Sequence, residues 1–218
     1  MATELLEARV PALRPVVERP GGPTGRRPGD DGGDGGGPDA GWDPGRFGLW
    51  AFLGTVSMLF IGFTSAYIVR RTAVDWRALP APRLLWWNTA ALLLSSVTLE
   101  RARQRRRAYD GPGVGGWLAA TGLLALVFVA GQFRAWRVLR ALGYFLSSNP
   151  HSSFFYLLSG VHIVHVAGGL LWFAGVLWAL HARGAASAAA GRSLSLFATY
   201  WHFLGALWLY VAFLIFFF

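Results

Sequence analysis

Two polar sets sit inside otherwise apolar stretches of this chain: His162-Ile163-Val164-His165 and Tyr200-Trp201-His202. A neutral imidazole donates one hydrogen bond, accepts another, and ligates iron or zinc. Three chemistries are therefore open to these histidines: hydrogen-bonded helix packing, haem ligation between facing helices, or a bound metal. Histidine is costly in hydrocarbon, so each must face protein, a cofactor or trapped water. Packing is the usual role of interior polar groups. The His-x-x-His spacing departs from the i,i+4 pair of the zinc helix motif, and no acid accompanies it as general base. No span places a carboxylate beside a histidine at that depth, so a proton relay is not expected.

Helical spacing puts His162 and His165 on one stripe, continued by Gly169 and Trp172. At ~1.5 Å per residue, His162 lies ~12 Å and His165 ~16 Å from the outer end of the fourth apolar run. His202 lies ~12 Å from the inner end of the fifth. A short loop joins these two runs, which predicts antiparallel neighbours with the three imidazoles converging near the midplane. Gly168, Gly169 and Gly205 are expected to let the backbones approach.

The composition demands a membrane for these helices. Of 218 residues, 54% are hydrophobic and 14% charged, against roughly a quarter charged in soluble domains. All 20 basic residues are Arg. Residues 1–46 carry six Arg against eight acids; beyond them 14 Arg face only Asp75, Glu100 and Asp110. Those Arg lie at helix ends, where they meet headgroups and set topology, so the net charge of +9 is not a nucleic-acid footprint. The chain contains no Cys, which removes disulfides and thiolate metal sites.

Five apolar runs predict an all-α membrane protein, a five-helix transmembrane bundle spanning about 47–69, 84–100, 115–135, 154–180 and 194–218. Residues 46–218 form the membrane domain. Residues 1–45 read as a disordered Gly/Pro/Asp-rich tail with a short amphipathic helix over Glu4–Glu18. No signal peptide is visible. The Arg101–Arg107 run marks the second loop as cytoplasmic, placing the N-terminus inside and Phe218 on the outer face.

Hydroxyls at Thr55, Ser57, Thr64, Ser65, Thr89, Ser95, Ser96 and Thr98 are expected to bond their own helix backbones. Glu100 reads as a partner for adjacent Arg. Trp42, Trp50, Trp76, Trp86, Trp87, Trp117, Trp136 and Trp201 fall near span ends, as interfacial anchors do.

Ordered motifs then point to a family. They are Phe52-Leu53 through Met58-Leu59-Phe60 with Ala66-Tyr67; Trp87-Asn88-Thr89 through Ser95-Ser96-Val97-Thr98; and Gly131-Gln132 with Ala135-Trp136. The densest are residues 154–169, which contain both central histidines, and Tyr200-Trp201-His202-Phe203-Leu204. Over residues 47–218 the chain resembles subunit III of the haem–copper oxidases in a shorter, five-helix bacterial form. The resemblance implies a subunit of a respiratory oxygen reductase, most simply cytochrome c oxidase, in the bacterial plasma membrane. This chain would hold no redox cofactor, catalytic residue or metal; haem and copper belong to partner subunits. It would pack directly on subunit I, in a complex with subunit II and a small subunit IV, and bind phospholipids. His162, His165, Tyr200, Trp201 and His202 would form its polar core, and Glu100, Gln132 and Trp136 its lipid or interface contacts. Two departures stand out: Val56 and Gly205 occupy positions where the family pattern carries acids. Related readings are a quinol oxidase subunit III or a nitric oxide reductase accessory protein. A stand-alone haem-binding cytochrome is the alternative from another class. A transporter would want broken helices and charged midplane sites, which are not evident.

Overall fold

The computed structural model describes residues 43–80, 83–108, 111–184 and 187–218. These form five α-helices and, among the described residues, no strand: α1 Pro44–Arg71, α2 Arg83–Arg107, α3 Gly111–Ala141, α4 Pro150–Arg183 and α5 Ala188–Phe216. The tail expected over 1–45 lies outside the described residues up to position 42, as does its Glu4–Glu18 helix. Positions 43–45 already belong to the start of α1. Every helix begins before its predicted span, and α1–α4 also run past its end, because hydrogen bonding continues where hydrophobicity stops.

Local sequence sets several ends. Asp43 caps α1, its carboxylate accepting from the Gly45 N–H at 3.1 Å, with Pro44 in the first turn. Asn149 does the same for α4, accepting from the Ser152 N–H ahead of Pro150. Both pairs follow the rule that a short polar acceptor precedes the helix and proline opens it. After α3, Gly143 turns the chain at φ 86°, and the Tyr144 N–H reaches back to the Leu139 carbonyl.

One spacing organises the bundle. Buried positions alternate by three and four residues: Leu85, Asn88, Leu92, Ser95, Leu99 and Ala102 on α2; Val114, Leu118, Thr121, Ala125, Phe128, Gln132, Ala135 and Leu139 on α3; Leu194, Phe197, Trp201, Leu204, Trp208, Val211 and Ile215 on α5. On α4 the seam runs Ser152, Phe155, Ser159, His162, Val166, Gly169, Phe173 and Val176. A repeat of 3.5 residues is the seam of left-handed, knobs-into-holes packing. A second buried row on α5, Tyr200, Leu207 and Leu214, makes it the central helix.

Cross-helix contacts fix the register. Gly169 meets Tyr200 and Trp201, the His162 ring lies 5.1 Å from Trp208, and Phe173 stacks on Phe197 at 5.1 Å, so α4 and α5 are antiparallel. Thr98 and Thr121 share a 2.9 Å hydrogen bond while Asn88 covers Gly131, which pairs α2 with α3. The Trp201 indole donates to Ser95 at 2.9 Å and the Trp208 indole to Thr89 at 3.0 Å, tying α2 to α5.

Four helices, α1, α3, α4 and α5, are long and apolar enough to cross a membrane, making this a multi-pass membrane protein. The Arg-rich end of α2 keeps it from meeting the same measure.

Candidate functional site

His162 is fully buried, enclosed by Phe128 of α3 at 5.9 Å and Trp208 of α5 at 5.1 Å between ring centroids. Neither ring nitrogen finds a protein partner among the described residues. His165, one turn on, faces α1 instead, between Phe52 at 6.3 Å and Phe60 at 6.2 Å. Its Nδ1 lies 2.8 Å from the Val161 carbonyl. A carbonyl only accepts, so Nδ1 is the donor in this contact. The Tyr200 hydroxyl donates to the His165 carbonyl at 2.8 Å, which joins the two motifs across α4 and α5.

His202 turns away from both. Its Nε2 lies 3.8 Å from the Glu100 carboxylate of α2. The same carboxylate accepts from Arg103 at 2.6 Å, and Arg103 reaches Ser195 at 3.3 Å. The side chains of His202 and Glu100 are 42% and 36% exposed, on the outside of the bundle. The expected convergence of three imidazoles is therefore replaced by three separate environments. Interhelical register aligned their depths, but rotation about each axis points them at different neighbours. Among the described residues no single helix sets a carboxylate beside a histidine, but the Glu100 side chain reaches across from α2 to His202. Pairing of Glu100 with adjacent Arg is seen, in Arg103.

The glycines divide in the same way. A Cβ at Gly169 would meet Trp201 at 3.2 Å, so this glycine does permit close approach of α4 and α5. Gly168 faces open space, and Gly205 lies against Ser96 of α2 at an ordinary 3.6 Å.

Trp201 is not an interfacial anchor: it is 1% exposed, and its indole N–H is spent on Ser95. Replacing it by Phe should cost about 1 kcal/mol of stability through that lost bond. Ser95→Ala leaves the buried indole N–H unpaired and should cost about 1–3 kcal/mol, and the double variant should cost less than the sum of the two, as a denaturant-unfolding midpoint would report. Trp136 likewise donates to Ser159 at 3.0 Å, and Gln132 is buried beside it on α3. Trp50, Trp86 and Trp87 are exposed as anchors should be; Trp42 lies outside the described residues.

Hydroxyls of Thr55, Ser57, Thr64, Thr89, Ser95 and Thr98 do bond their own backbones. Those of Thr89 and Ser95 also accept from tryptophans, a role the sequence did not reveal.

His151 was missed altogether. At the start of α4, its Nδ1 accepts from the Leu79 N–H at 3.1 Å and its Nε2 lies 3.0 Å from the Ile215 carbonyl. The ring stacks on Trp76 at 4.8 Å and meets the edge of Tyr67 at 6.0 Å. Beside it, a cleft of about 820 Å³ opens between α1 and the start of α4. Gly62, Ser65, Ala66, Ser148, Ser153 and the Arg70–Asp75 ion pair are among the residues that line it.

No family model matches the chain. Individual proteins do. It is 30% identical to cytochrome c oxidase subunit 3 of Synechocystis sp. over 75% of this chain and 71% of that protein. It is 31% identical to cytochrome bo(3) ubiquinol oxidase subunit 3 of Pseudomonas putida, over 75% and 81%. It is 30% identical to quinol oxidase subunit 3 of Bacillus subtilis, over 75% and 82%. On this identity and coverage, the chain belongs to the haem–copper oxidase subunit III family.

Proposed function

We propose that this chain is the non-redox third subunit of a bacterial cytochrome c oxidase, docked on the catalytic subunit that holds haem and copper. The observation that carries the docking is the Glu100–His202 pair. A half-exposed carboxylate and imidazole on the flank of a membrane bundle are costly against lipid tails and are stabilised against a partner protein. The chain's own contribution is packing: it supports electron transport and proton translocation in the complex without touching the reacting atoms.

In this reading α2 is a fifth span. Its 16 uncharged residues from Leu84 to Leu99 cover ~24 Å, and Arg side chains at its end extend to the headgroups. Antiparallel bonding to α3 and α5 supports placing it at their depth. The α2 Arg cluster then faces the cytoplasm, with the N-terminus inside and Phe218 outside the plasma membrane. Phospholipid is the proposed occupant of the cleft beside α1, tails along Gly62 and Ala66 and headgroup toward the hydroxyls and Arg70. Quinol is the second candidate donor, favoured by quinol oxidase relatives at the same identity as the cytochrome c oxidase ones.

The test is affinity isolation of the native complex through this chain in mild detergent. Catalytic subunits with haem should copurify, together with a copper-bearing second subunit if cytochrome c is the donor. His202→Leu should lower their recovery roughly tenfold, the equivalent of ~1.4 kcal/mol, with the haem per catalytic subunit unchanged. Glu100→Gln should act in the same direction. Undiminished recovery together with lost haem would refute this reading, as would a Soret band from this polypeptide alone.

A further inference from the structure

Five buried side-chain atoms find no hydrogen-bond partner among the described residues: Nδ2 of Asn88, both carboxamide atoms of Gln132 and both ring nitrogens of His162. They come from α2, α3 and α4, yet the contacts place them in one layer. On α3, Phe128, Gln132 and Trp136 follow one another at i,i+4 spacing along one face. Phe128 meets the His162 ring and Trp136 bonds Ser159, so Gln132 is registered between them, opposite His162 and Ser159 of α4. Asn88 lies over Gly131, the neighbour of Gln132, in a seat that a Cβ would fill. The residue after Asn88, Thr89, accepts from Trp208, whose ring lies against His162.

The nearby hydroxyls are already engaged. Ser159 donates to the Phe155 carbonyl and accepts from Trp136. Thr89 donates to Leu85 and accepts from Trp208. Lipid tails offer nothing, and a dry, unpaired polar group costs about 1–3 kcal/mol. Buried polar groups in folded proteins almost always find a partner in protein or ordered water. The chemistry of this set selects the partner. A neutral imidazole presents one donor and one acceptor, a carboxamide both, and no carboxylate is among them to hold a cation. Phe128 and Trp208 place only aromatic rings against the imidazole. Water matches all of these requirements, since it donates twice and accepts twice.

We propose that Asn88, Gln132 and His162 form a buried hydration site, in which ordered water bridges the His162 imidazole to the Gln132 carboxamide and on to Asn88. Water would then be a component of the α2–α3–α4–α5 packing, and His162 would hold its orientation through it.

The experiment is a cryo-EM or crystal map, at about 2 Å, of the purified assembly that contains the full chain, alongside the same assembly carrying Gln132→Met. The proposal expects a discrete peak within ~2.7–3.2 Å of both a His162 ring nitrogen and the Gln132 carboxamide, lost or displaced in the variant. A direct Gln132–His162 hydrogen bond overturns it. So does a side chain of another subunit in that position, or a wild-type layer with no bridging density. If the variant fails to assemble, the wild-type map alone decides.

Discussion

Replacing His151 by Leu should lower the stability of the bundle by on the order of 4 kcal/mol, the largest effect expected of any single histidine change here. From the start of α4 the ring reaches two other parts of the chain: the α1–α2 connection, through Leu79 and by stacking on Trp76, and the end of α5 through Ile215. Leu fills most of the volume and supplies neither hydrogen bond. The Leu79 N–H and Ile215 carbonyl would be left buried and unpaired, each at about 1–3 kcal/mol, and the aromatic stack would be lost at about 0.5–1.5 kcal/mol. His151→Gln provides an acceptor and a donor on one side chain and should recover part of the loss. His151→Phe keeps the stack without the bonds and should recover less. Unfolding midpoints of the full chain in mixed micelles, titrated with SDS, give the ranking; equal midpoints for Leu and Gln would remove the hydrogen bonds from the explanation.

The second large effect is expected at Gly131. A methyl group here would overlap the Asn88 carboxamide, which is itself buried between α2 and α3 and has little room to withdraw. Overpacking of this kind costs about 1–3 kcal/mol for one added carbon, so Gly131→Ala should destabilise by that amount and Gly131→Val by more. The overlap is specific to the carboxamide. Asn88→Ala removes its three atoms, so the double variant should be more stable than Gly131→Ala alone. A coupling of at least about 1 kcal/mol in the double-mutant cycle is the expected reading; simple additivity would mean that the strain lies elsewhere.

Much of the fold was legible because crossing a membrane imposes a length and an all-round apolar composition. Five apolar runs gave five helices, and ordered motifs pointed to the family the relatives bear out. The same composition hid the packing. Leu92 is buried while Leu93 and Leu94 beside it are exposed, a difference that no hydropathy pattern can register when every face is apolar. The 3.5-residue seam was therefore invisible until neighbours were placed. The pairing of Glu100 with His202 is hidden for a related reason: a span's ends define depth alone, whereas the carboxylate reaches sideways to another helix. His151 was overlooked because it precedes the apolar run, in a segment that reads as an exposed connection.

One consequence follows from the position of α5. The helix with two buried rows is also the one that emerges after the other four during synthesis. Until it arrives, Ser95 and Thr89 lack their indole donors, His151 lacks its carbonyl, and the tryptophan-facing surface of α4 is open. The first four helices are thus made as an unfinished vessel around an absent core. Shielding of that groove, or prompt delivery of α5, is the expected need of biogenesis. Ribosome stalling just before residue 188 should expose the intermediate to membrane proteases.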